Sequence, residues 1–424
     1  MSEPDVSNLL SVVEAIEIID AAPVTPRVVT KPLRDAMGLR LARDLAADRD
    51  QPPFDKSLMD GFAVRCADVA GRVGPVELDV VGTIGAGQSH KSPLNAGQAV
   101  AIMTGAPLPP GADGIVPVED TSRPSGRRVR IARAEAISPG RFIARRGSDC
   151  AAGATVLPRG TKLEAAALAV TASVGAANVE VFDRPRVTVI TTGDEIVPVD
   201  ATPGDEQIRN VSSSMLTALL KRFECEVTDL GIVRDDPRAI REALQSSIND
   251  FDVTFVTGGM SMGEFDYVPR VLIEIGVELK ITKLRIKPGK PFVFGVTKTP
   301  VAARPDPDST ARSRFVFGLP GNPVSAFTCT ARLARRLIAR LSGAQPSDAE
   351  RWITASLSES LSTNGPREFY QPAILDGRGN VNPLPWKGSA DIYTLARANA
   401  LLVRGENEAA QSIGSVVRVL EIPS

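Results

Sequence analysis

Between residues 186 and 341, short β-branched apolar runs alternate with segments of helical spacing. Runs rich in Val, Ile and Thr at 186–192 and 253–257 predict buried strands. Apolar residues three and four positions apart predict helices at 214–223 and 237–248. Alternation of this kind is typical of a doubly wound, mostly parallel α/β sheet. The same reasoning adds strands at 227–233, 279–286 and 292–296, and helices at 268–275 and 324–341.

The segments on both sides of this stretch carry β patterns. Within the region 53–142, closely punctuated by Gly and Pro, residues 76–81 and 128–131 partly alternate between apolar and polar positions. In the tail, 369–375 and 416–422 are the best strand candidates. We therefore expect β-rich domains before and after the α/β sheet.

Helices are also predicted outside the α/β stretch. Ser11 and Glu14 form the pattern of a capping box, so a helix with a largely apolar face begins there and packs against another domain or subunit. Residues 164–177 are alanine-rich and compatible with a helix. In the helix at 324–341 we expect four arginines to form a solvated face: Arg332, Arg335, Arg336 and Arg340.

A length of 424 residues suggests roughly two to four domains. We expect residues 1–52 and 143–182 to form one N-terminal domain, with a β-rich domain, 53–142, inserted into it. Residues 183–342 then form the α/β domain, and residues 343–424 form a C-terminal β domain.

The overall charge limits the classes of partner. The 49 basic and 50 acidic residues give a net charge of −1, which argues against a broad nucleic-acid-binding face. No apolar run reaches about 18 residues, so no membrane span is predicted. The acidic start of the chain is unlike a secretory signal. We expect a cytoplasmic protein.

Histidine and cysteine chemistry are both disfavoured. His90, the only histidine, lies in a polar, turn-rich stretch and is expected at the surface. The cysteines are widely scattered and form no CxxC pair, so we expect free thiols in a reducing compartment: Cys66, Cys150, Cys225 and Cys329. The chemistry must then rest on carboxylates, lysines, hydroxyls and metal ions.

Five glycine- or charge-bearing loops follow predicted strands, at 191–195, 234–237, 257–261, 287–291 and 319–323. In an open α/β sheet, loops that follow the strands meet at one edge, where ligands bind. That edge would collect backbone N–H groups, two lysines and several carboxylates. The mixture suits an anionic, phosphorylated ligand handled with a divalent metal.

The loop at 257–266 is the sharpest local signal. Gly258 and Gly259 permit positive φ, and the N–H groups of such a turn can bind an anion. Ser261 adds a hydroxyl. Asp266 stands where a helix begins, so it either caps that helix or holds a metal. The alternative for the whole loop is an ordinary glycine turn followed by a helix cap.

The lysine and acid loops are open to similar alternatives. Lys287 and Lys290 flank a turn stiffened by two prolines; they suit an oxyanion, or they are solvated lysines in a turn between strands. The loops at 191–195 and 234–237 each carry two acids, and acids at both loops fit Mg²⁺, which favours carboxylates, water and substrate phosphates. Asp236 directly precedes a proline and is the predicted helix cap, which leaves Asp235 for function.

Together the motifs resemble the molybdopterin molybdenumtransferase family, called MoeA in bacteria and related to the E domain of gephyrin. No single motif carries this resemblance, but their order and separations do. The matching segments are 54–61, 85–88, 103–120, 145–149, 192–196, 257–267, 287–291, 319–325 and, more weakly, 367–372.

The resemblance implies four domains and an elongated homodimer whose active cleft is shared between subunits. It also implies that molybdate enters the dithiolene of adenylylated molybdopterin, with Mg²⁺-dependent hydrolysis that releases AMP. Implied partners are a molybdopterin adenylyltransferase and molybdoenzyme maturation proteins. A non-catalytic molybdopterin carrier and a gephyrin-like clustering protein remain alternatives. The full acidic set favours an enzyme over a carrier, and the absence of a long linker disfavours a clustering role.

The resemblance also implies roles for individual residues. The catalytic positions match Asp60, Thr104, Asp149, Glu195, Asp235 and Asp266, of which Asp235 and Asp266 would hold Mg²⁺. The substrate-binding positions match Thr192, Gly193, Gly258, Gly259, Ser261, Pro320, Gly321 and Asn322. The molybdate-binding positions match Lys287, Lys290, Ser325, Arg367 and Ser389.

Three features depart from the family pattern. Residues 208–213, which include Asn210 and Ser212, stand where many relatives carry an Asp-x-Asn element. Ser148 stands where relatives often carry Glu. The stretch 300–313 is longer than expected.

Overall fold

The computed structural model describes residues 9–133, 137–260, 266–301 and 311–422. The chain forms two compact units: one comprises residues 31–179, and the other joins the segment up to residue 30 with the chain from residue 180 onward. No helix in these described ranges is long and apolar enough to span a membrane. The first elements are α1 (Val12–Asp20) and β1 (Val28–Pro32).

The unit at 31–179 is built mainly from short strands. A six-stranded sheet in the order β8-β5-β7-β6-β10-β9 forms its largest part. The strands predicted at 76–81 and 128–131 are confirmed within this sheet. The elements are β2 (Arg40–Leu41), β3 (Leu45–Ala46), β4 (Lys56–Ser57), β5 (Gly61–Val64), β6 (Val76–Ile84), β7 (Gln98–Ile102), β8 (Gly114–Pro117), β9 (Thr121–Ser125), β10 (Arg128–Ile131), β11 (Ile143–Ala144), β12 (Thr155–Leu157) and α2 (Ala165–Ser173), and β13 (Asn178–Phe182) begins in this unit and ends in the other.

The second unit contains the predicted α/β sheet. Its strand order is β17-β14-β18-β22-β21-β19; the first four strands are mutually parallel, and β21 runs antiparallel to both neighbours. The elements are β14 (Arg186–Thr192), β15 (Ile196–Val197), β16 (Ile208–Arg209), α3 (Val211–Arg222), β17 (Glu226–Val233), α4 (Pro237–Asp250), β18 (Val253–Thr257), α5 (Val268–Glu274), β19 (Val277–Ile281), β20 (Ile286–Lys287), β21 (Val293–Thr297), β22 (Phe315–Leu319), α6 (Pro323–Cys329) and α7 (Arg335–Leu341).

Both faces of this sheet are covered, as the doubly wound pattern predicts. Side chains alternate across the pleat, so Val187 and Val189 enter one core while Ile190 enters the other. The first core includes residues of α1, α3, α6 and α7, and the second includes residues of α4 and α5. The fully buried strands therefore read as continuous apolar runs rather than as alternating ones.

The C-terminal strands close into a five-stranded barrel in the cyclic order β24-β25-β23-β27-β26, since β24 also pairs with β26. Small and branched residues such as Ala373, Val381 and Leu402 fill its interior. The elements are β23 (Trp352–Leu357), β24 (Glu368–Leu375), β25 (Asn380–Pro383), α8 (Ile392–Leu395), β26 (Ala400–Arg404) and β27 (Val416–Glu421). Both strands predicted in the tail are confirmed.

The sequence predicts one strand at 279–286, followed by a loop at the edge of the α/β sheet. This is wrong, because the chain makes two strands there, β19 and β20. Strand β20 pairs in parallel with β24 of the barrel rather than with the α/β sheet. The loop 287–291 nevertheless returns to the α/β sheet at its carboxyl edge, since Val293 of β21 pairs with Gly318 near the end of β22.

The predicted solvated face of arginines is also wrong. A π-helical turn, Thr330–Ala334, joins α6 to α7, and Arg332 in that turn is buried against Glu350 and Tyr370. Arg336 pairs with Asp20, and the Arg335 guanidinium lies over an aromatic ring. Arg340 donates to two carbonyl oxygens at the end of α1. Elements distant in the chain cover this helix, and helical periodicity alone cannot reveal them.

The structure also tests the expectations for the cysteines, for His90 and for the stretch 300–313. Cys66, Cys225 and Cys329 are buried free thiols, while Cys150 is half-buried. Burial raises the pKa of the Cys66 thiol to about 12. His90 is half-buried rather than fully exposed, and its ring lies against Gly82. The stretch 300–313 is closed by a bridge between Val301 and Arg312, and residues 302–310 lie outside the described ranges.

Candidate functional site

The α/β sheet reverses its winding between two strands. From β14 the chain passes through α3 to β17 on one side and then through α4 to β18 on the other. The loops after β14 and β18 therefore diverge and leave a crevice at the carboxyl edge, where ligands bind in sheets of this type. A cavity of about 690 Å³ lies there. The predicted residues that line it are Thr192, Glu195, Gly258, Gly321 and Asn322.

Close backbone packing forms the floor of this cavity, which we call the switch-point cavity. A Cβ on Gly258 would lie 2.1 Å from the carbonyl oxygen of Thr192, and the φ of Gly258 is +91°. A Cβ on Gly321 would lie 3.9 Å from the Gly258 Cα. Three loops thus meet without side chains between them, which leaves room for a ligand. Gly193 is buried nearby, and buried Pro320 follows β22.

A buried network of hydroxyls lies beneath the cavity. The Thr191 hydroxyl lies 3.1 Å from the Ser213 Oγ and accepts a hydrogen bond from the Thr257 hydroxyl at 3.3 Å. Asn210 caps α3 by accepting a hydrogen bond from the Ser213 backbone N–H at 3.0 Å. This network fixes the N-terminus of α3 at the cavity wall, where Asn210 and Ser212 both line the space.

The acidic loop after β17 contacts the loop after β14. The Thr192 hydroxyl donates to the Asp235 carboxylate, and the Asp235 backbone N–H donates to Asp194 at 3.3 Å. Asp236 accepts from two backbone N–H groups in the first turn of α4, so the prediction that it is the helix cap is confirmed. Glu195 is exposed at the cavity wall. Asp235 is thus a functional candidate distinct from the capping acid beside it.

Asp266 directly precedes the N-cap of α5 and is half-buried. The N-cap of α5 is Tyr267 and makes no side-chain capping bond. A Cβ on Gly259 would lie 3.5 Å from the Thr192 methyl and 3.2 Å from a methyl of Val268, two residues beyond Asp266. Gly259, which begins the segment that leads to Asp266, therefore packs beside Thr192, the partner of Asp235. Ser261 lies outside the described residues.

The oxygen donors of these loops fit Mg²⁺. Two aspartates and a threonine hydroxyl are hard ligands, and Mg²⁺ commonly uses one or two carboxylates together with substrate phosphates. Across the described ranges, no group of three or more His, Cys, Asp or Glu side chains is arranged to hold a metal. Such an ion would therefore need oxygens from water or substrate to complete its coordination.

The lysine loop packs on the first turns of α6. A Cβ on Gly289 would lie 2.5 Å from the Cys329 Sγ and 3.9 Å from the Ser325 carbonyl oxygen. Lys287 is exposed, and its ammonium lies 4.5 Å from the centre of the Phe369 ring. Lys290 is half-buried. The two lysines thus lie outside the lining of the switch-point cavity, in a loop whose Gly289 packs on the helix that borders it.

Three further predicted residues lie around the same helix and loop. Ser325 is buried in the first turn of α6. The Ser389 carbonyl oxygen accepts the backbone N–H of Val324 at 3.0 Å, so Ser389 lies at the N-terminus of α6. Arg367 directly precedes β24, next to β20, which ends at Lys287. The lysine loop, Ser325, Ser389 and Arg367 thus border one region, which we call the α6 shelf.

The unit at 31–179 carries the other predicted acids. The Asp60 carboxylate accepts hydrogen bonds from the Thr104 backbone N–H at 2.6 Å and from its hydroxyl at 2.8 Å. The backbone N–H and then the hydroxyl lower the pKa of Asp60. Asp60 and Thr104 therefore form one constellation, built where β5 and β7 pair at Gly61 and Ile102.

Asp149 lies on a turn held to the segment before Asp60. Its backbone N–H donates to the Gln51 carbonyl oxygen at 2.9 Å, and its carboxylate is exposed. Arg145 pairs with Asp55 at 2.6 Å, and Arg146 pairs with Asp50 at 2.7 Å. These pairs fix the turn, and Ser148 donates its hydroxyl to Asp149 at 3.2 Å.

Several residues that line the cavity were not predicted as site residues. Thr191 and Thr257 lie at the carboxyl ends of β14 and β18. That position was the sequence signal that could have identified them as site residues. Tyr393 in α8 lines the cavity and is 81% exposed. No sequence motif surrounds Tyr393. It reaches the cavity because α8 lies between the barrel strands β25 and β26, and this position cannot be read from the sequence.

Comparisons with known families cover almost the whole described chain. The MoeA N-terminal region (domain I and II) matches residues 10–175, and the MoeA C-terminal region (domain IV) matches residues 354–422. Between them, residues 188–340 match a family described as a probable molybdopterin binding domain. The switch-point cavity lies mainly within this central match.

Individual relatives agree with the family matches. A molybdopterin molybdenumtransferase from Synechococcus elongatus is 34% identical over 421 residues, covering 97% of this chain and 100% of the relative. One from a Nostoc species is 33% identical over 394 residues, covering 92% and 87%. The crystal structure of the MoeA molybdopterin biosynthesis protein from Pyrococcus horikoshii has a TM-score of 0.82 at 27% identity, covering 98% and 100%.

Proposed function

Because this chain belongs to the MoeA family of molybdopterin molybdenumtransferases, which act in molybdenum cofactor biosynthesis, we propose that it inserts molybdate into adenylylated molybdopterin and releases AMP. The observation that carries this proposal is the switch-point cavity, lined by glycine loops and hydroxyls. Its 690 Å³ falls in the usual range for small-molecule and cofactor sites.

The cavity is suited to a phosphorylated ligand. The N-termini of α3 and α6 both border it, through Asn210 to Ser212 and through Gly321 to Pro323. Helix N-termini present backbone N–H groups and a partial positive charge, which favour anions. The glycines at 258 and 321 let a phosphate approach the backbone closely.

The acids would act on the phosphate linkage. Asp235 and Asp266 would hold Mg²⁺, which when bound neutralises charge on the phosphates. Asp235 also accepts the Thr192 hydroxyl and so fixes that side chain at the cavity floor. Exposed Glu195 is the carboxylate that would accept a proton from the attacking water.

The α6 shelf would bind molybdate. Lys287, Lys290 and Arg367 supply cationic donors, and Ser325 and Ser389 supply hydroxyls. A dianionic oxyanion is bound best by charge-assisted hydrogen bonds of this kind. The dithiolene sulfurs belong to the substrate, so the buried thiols of this chain have no part in the transfer.

We propose that the remaining acids act from a second copy of the chain. Asp60, Thr104 and Asp149 belong to the other compact unit. In a homodimer, the partner subunit would present this set to the switch-point cavity. Molybdopterin adenylyltransferase would supply the substrate, and molybdoenzyme maturation proteins would receive the product. The buried free thiols support a cytoplasmic location.

The test uses purified protein with adenylylated molybdopterin, Mg²⁺ and molybdate. We expect AMP release by chromatography and formation of active cofactor by reconstitution of an apo-molybdoenzyme. Asp235→Asn and Asp266→Asn should abolish AMP release while leaving the circular dichroism spectrum unchanged. Asp236→Asn is the matched control for position 235, because Asn caps helices as well as Asp does.

Two results would contradict the proposal. Tight binding of the pterin without AMP release from the wild type would indicate the carrier function instead. Full AMP release from Asp235→Asn and Asp266→Asn would remove both carboxylates from the reaction.

A further inference from the structure

The α6 shelf is assembled from two different parts of the second unit. Lys290 and Ser325 belong to the α/β domain, through the turn before β21 and through α6. Arg367 and Ser389 belong to the barrel and its connections, and Lys287 ends β20, which pairs with β24. Any shift of the barrel against the α/β domain would therefore separate these side chains. Their geometry depends on what fixes that junction.

A buried polar chain crosses the junction. Arg332 in the π-helical turn is 8% exposed, and its Nε donates to the Tyr370 hydroxyl at 2.8 Å. Tyr370 of β24 is fully buried, and its hydroxyl donates in turn to the Glu368 carboxylate. Glu350 accepts from Arg332 and pairs with Arg336 at 3.3 Å. This series of hydrogen-bonded side chains thus begins at Arg332, in the helix that starts with α6, and ends at Glu368, the first residue of β24.

The pleat of β24 connects this chain to the shelf. Glu368 and Tyr370 point to one face of the strand, while Phe369 points to the other, and Arg367 directly precedes the strand. The ring of Phe369 lies under the Lys287 ammonium and 5.7 Å from the ring of Trp386. Fixing Tyr370 and Glu368 therefore fixes the backbone that carries Arg367 and supports Lys287.

The chemistry of the chain argues for a role beyond stability. Burying a guanidinium and a phenol hydroxyl is costly, and apolar residues of similar volume would often hold two elements together as well. A directional hydrogen bond, however, allows only one relative position of helix and strand. A π-helical turn in a long helix frequently occurs at functional sites, and here it carries Arg332.

We propose that Arg332, Tyr370 and Glu368 are positioning residues that set the register between α6 and β24 and thereby align the oxyanion donors of the α6 shelf. This inference rests on the proposed function of the shelf. None of the three side chains touches molybdate; they act through the placement of Arg367, Lys287 and Ser325.

The experiment compares Tyr370→Phe with the wild type in two assays. Equilibrium dialysis measures binding of molybdate alone, and molybdate titration at saturating adenylylated molybdopterin separates kcat from KM. We expect the affinity for molybdate to fall about tenfold and the KM for molybdate to rise by the same factor, with kcat retained. Loss of one hydrogen bond in a charged network changes an equilibrium constant by about a factor of ten. Arg340→Lys is the matched control, since Arg340 lies in the same helix but contacts α1.

The outcomes separate the two ideas. If the wild type binds molybdate but shows no turnover, the proposed function is refuted. The positioning role is then still tested by comparing the molybdate affinities of the wild type and Tyr370→Phe in equilibrium dialysis. Unchanged molybdate affinity in Tyr370→Phe, or an equal loss in Arg340→Lys, would overturn the positioning role. If Tyr370→Phe fails to fold, Glu368→Gln decides, with an expected loss of about threefold because a neutral acceptor is weaker than a carboxylate.

Discussion

Gly258→Ala should close the floor of the switch-point cavity. The added Cβ would lie 2.1 Å from the Thr192 carbonyl oxygen and 3.3 Å from its methyl. The φ of +91° adds backbone strain for any residue with a Cβ. Since Thr192 contacts both Asp235 and Gly259, its displacement would disturb Asp235 and the start of the segment that leads to Asp266.

The size of the effect follows from the distances. The Thr192 oxygen must retreat by about 0.9 Å to reach the 3.0 Å below which real Cβ contacts are essentially never found. Positive φ costs roughly 1–2 kcal/mol and the forced backbone shift roughly 1–3 kcal/mol. A misplacement of about 1 Å can lower the rate on the order of 100-fold. We therefore expect AMP release to fall by about that factor.

Gly276→Ala provides the matched control for this prediction. Its φ is +89°, but nothing lies within 4 Å of the position of its added Cβ. In urea unfolding, Gly276→Ala should lose unfolding free energy only from the backbone strain of positive φ. Gly258→Ala should lose more, because its added Cβ also clashes with Thr192. Equal losses of unfolding free energy and equal AMP release in the two variants would refute the argument from the close approach.

Three further outcomes are expected. Thr104→Val should raise the Asp60 pKa toward its ordinary value, as measured by NMR titration of the carboxyl group. Because the folded-state pKa is lowered, ionised Asp60 stabilises the fold above its unfolded-state pKa, and this stabilisation is lost as the pH falls through the folded-state pKa. The variant, with a higher folded-state pKa, should therefore lose the stabilisation at a higher pH than the wild type. A thiol reagent should modify Cys150 rapidly in the native protein and the three buried cysteines only after unfolding; rapid loss of all four thiols would contradict the described burial. Lys290→Ala should raise the molybdate concentration needed for half-maximal cofactor formation, whereas an unchanged titration would remove Lys290 from the shelf.

The edge where the candidate site lies could be predicted from sequence because the positions of strands and the composition of the loops after them are local signals. β14 and β18 have the bounds that the apolar runs predict, and glycine or a carboxylate follows each strand of the parallel set. Convergence of the loops after β14, β18 and β22 then follows from parallel pairing. The capping role of Asp236 was equally local, because a carboxylate before proline has few other uses.

The junction could not be predicted, because it depends on pairs far apart in the chain. β20 has two residues, and its partner β24 begins about eighty residues later, so no window along the sequence contains both. Arg332 looks like part of a solvated face until Glu350 and Tyr370 are placed beside it. Asn210 was noted as a departure from the family pattern, yet its role as the cap of α3 emerges only from the buried network.

The placement of α1 has a consequence for how the chain is made. Its apolar face is buried against α7, where Arg336 binds Asp20 across 316 positions of sequence. At synthesis rates of 5–20 residues per second, the ribosome needs roughly 15–60 seconds to add that many residues. During that interval the nascent helix cannot reach its final partner, so a chaperone that shields exposed apolar segments would find its target here.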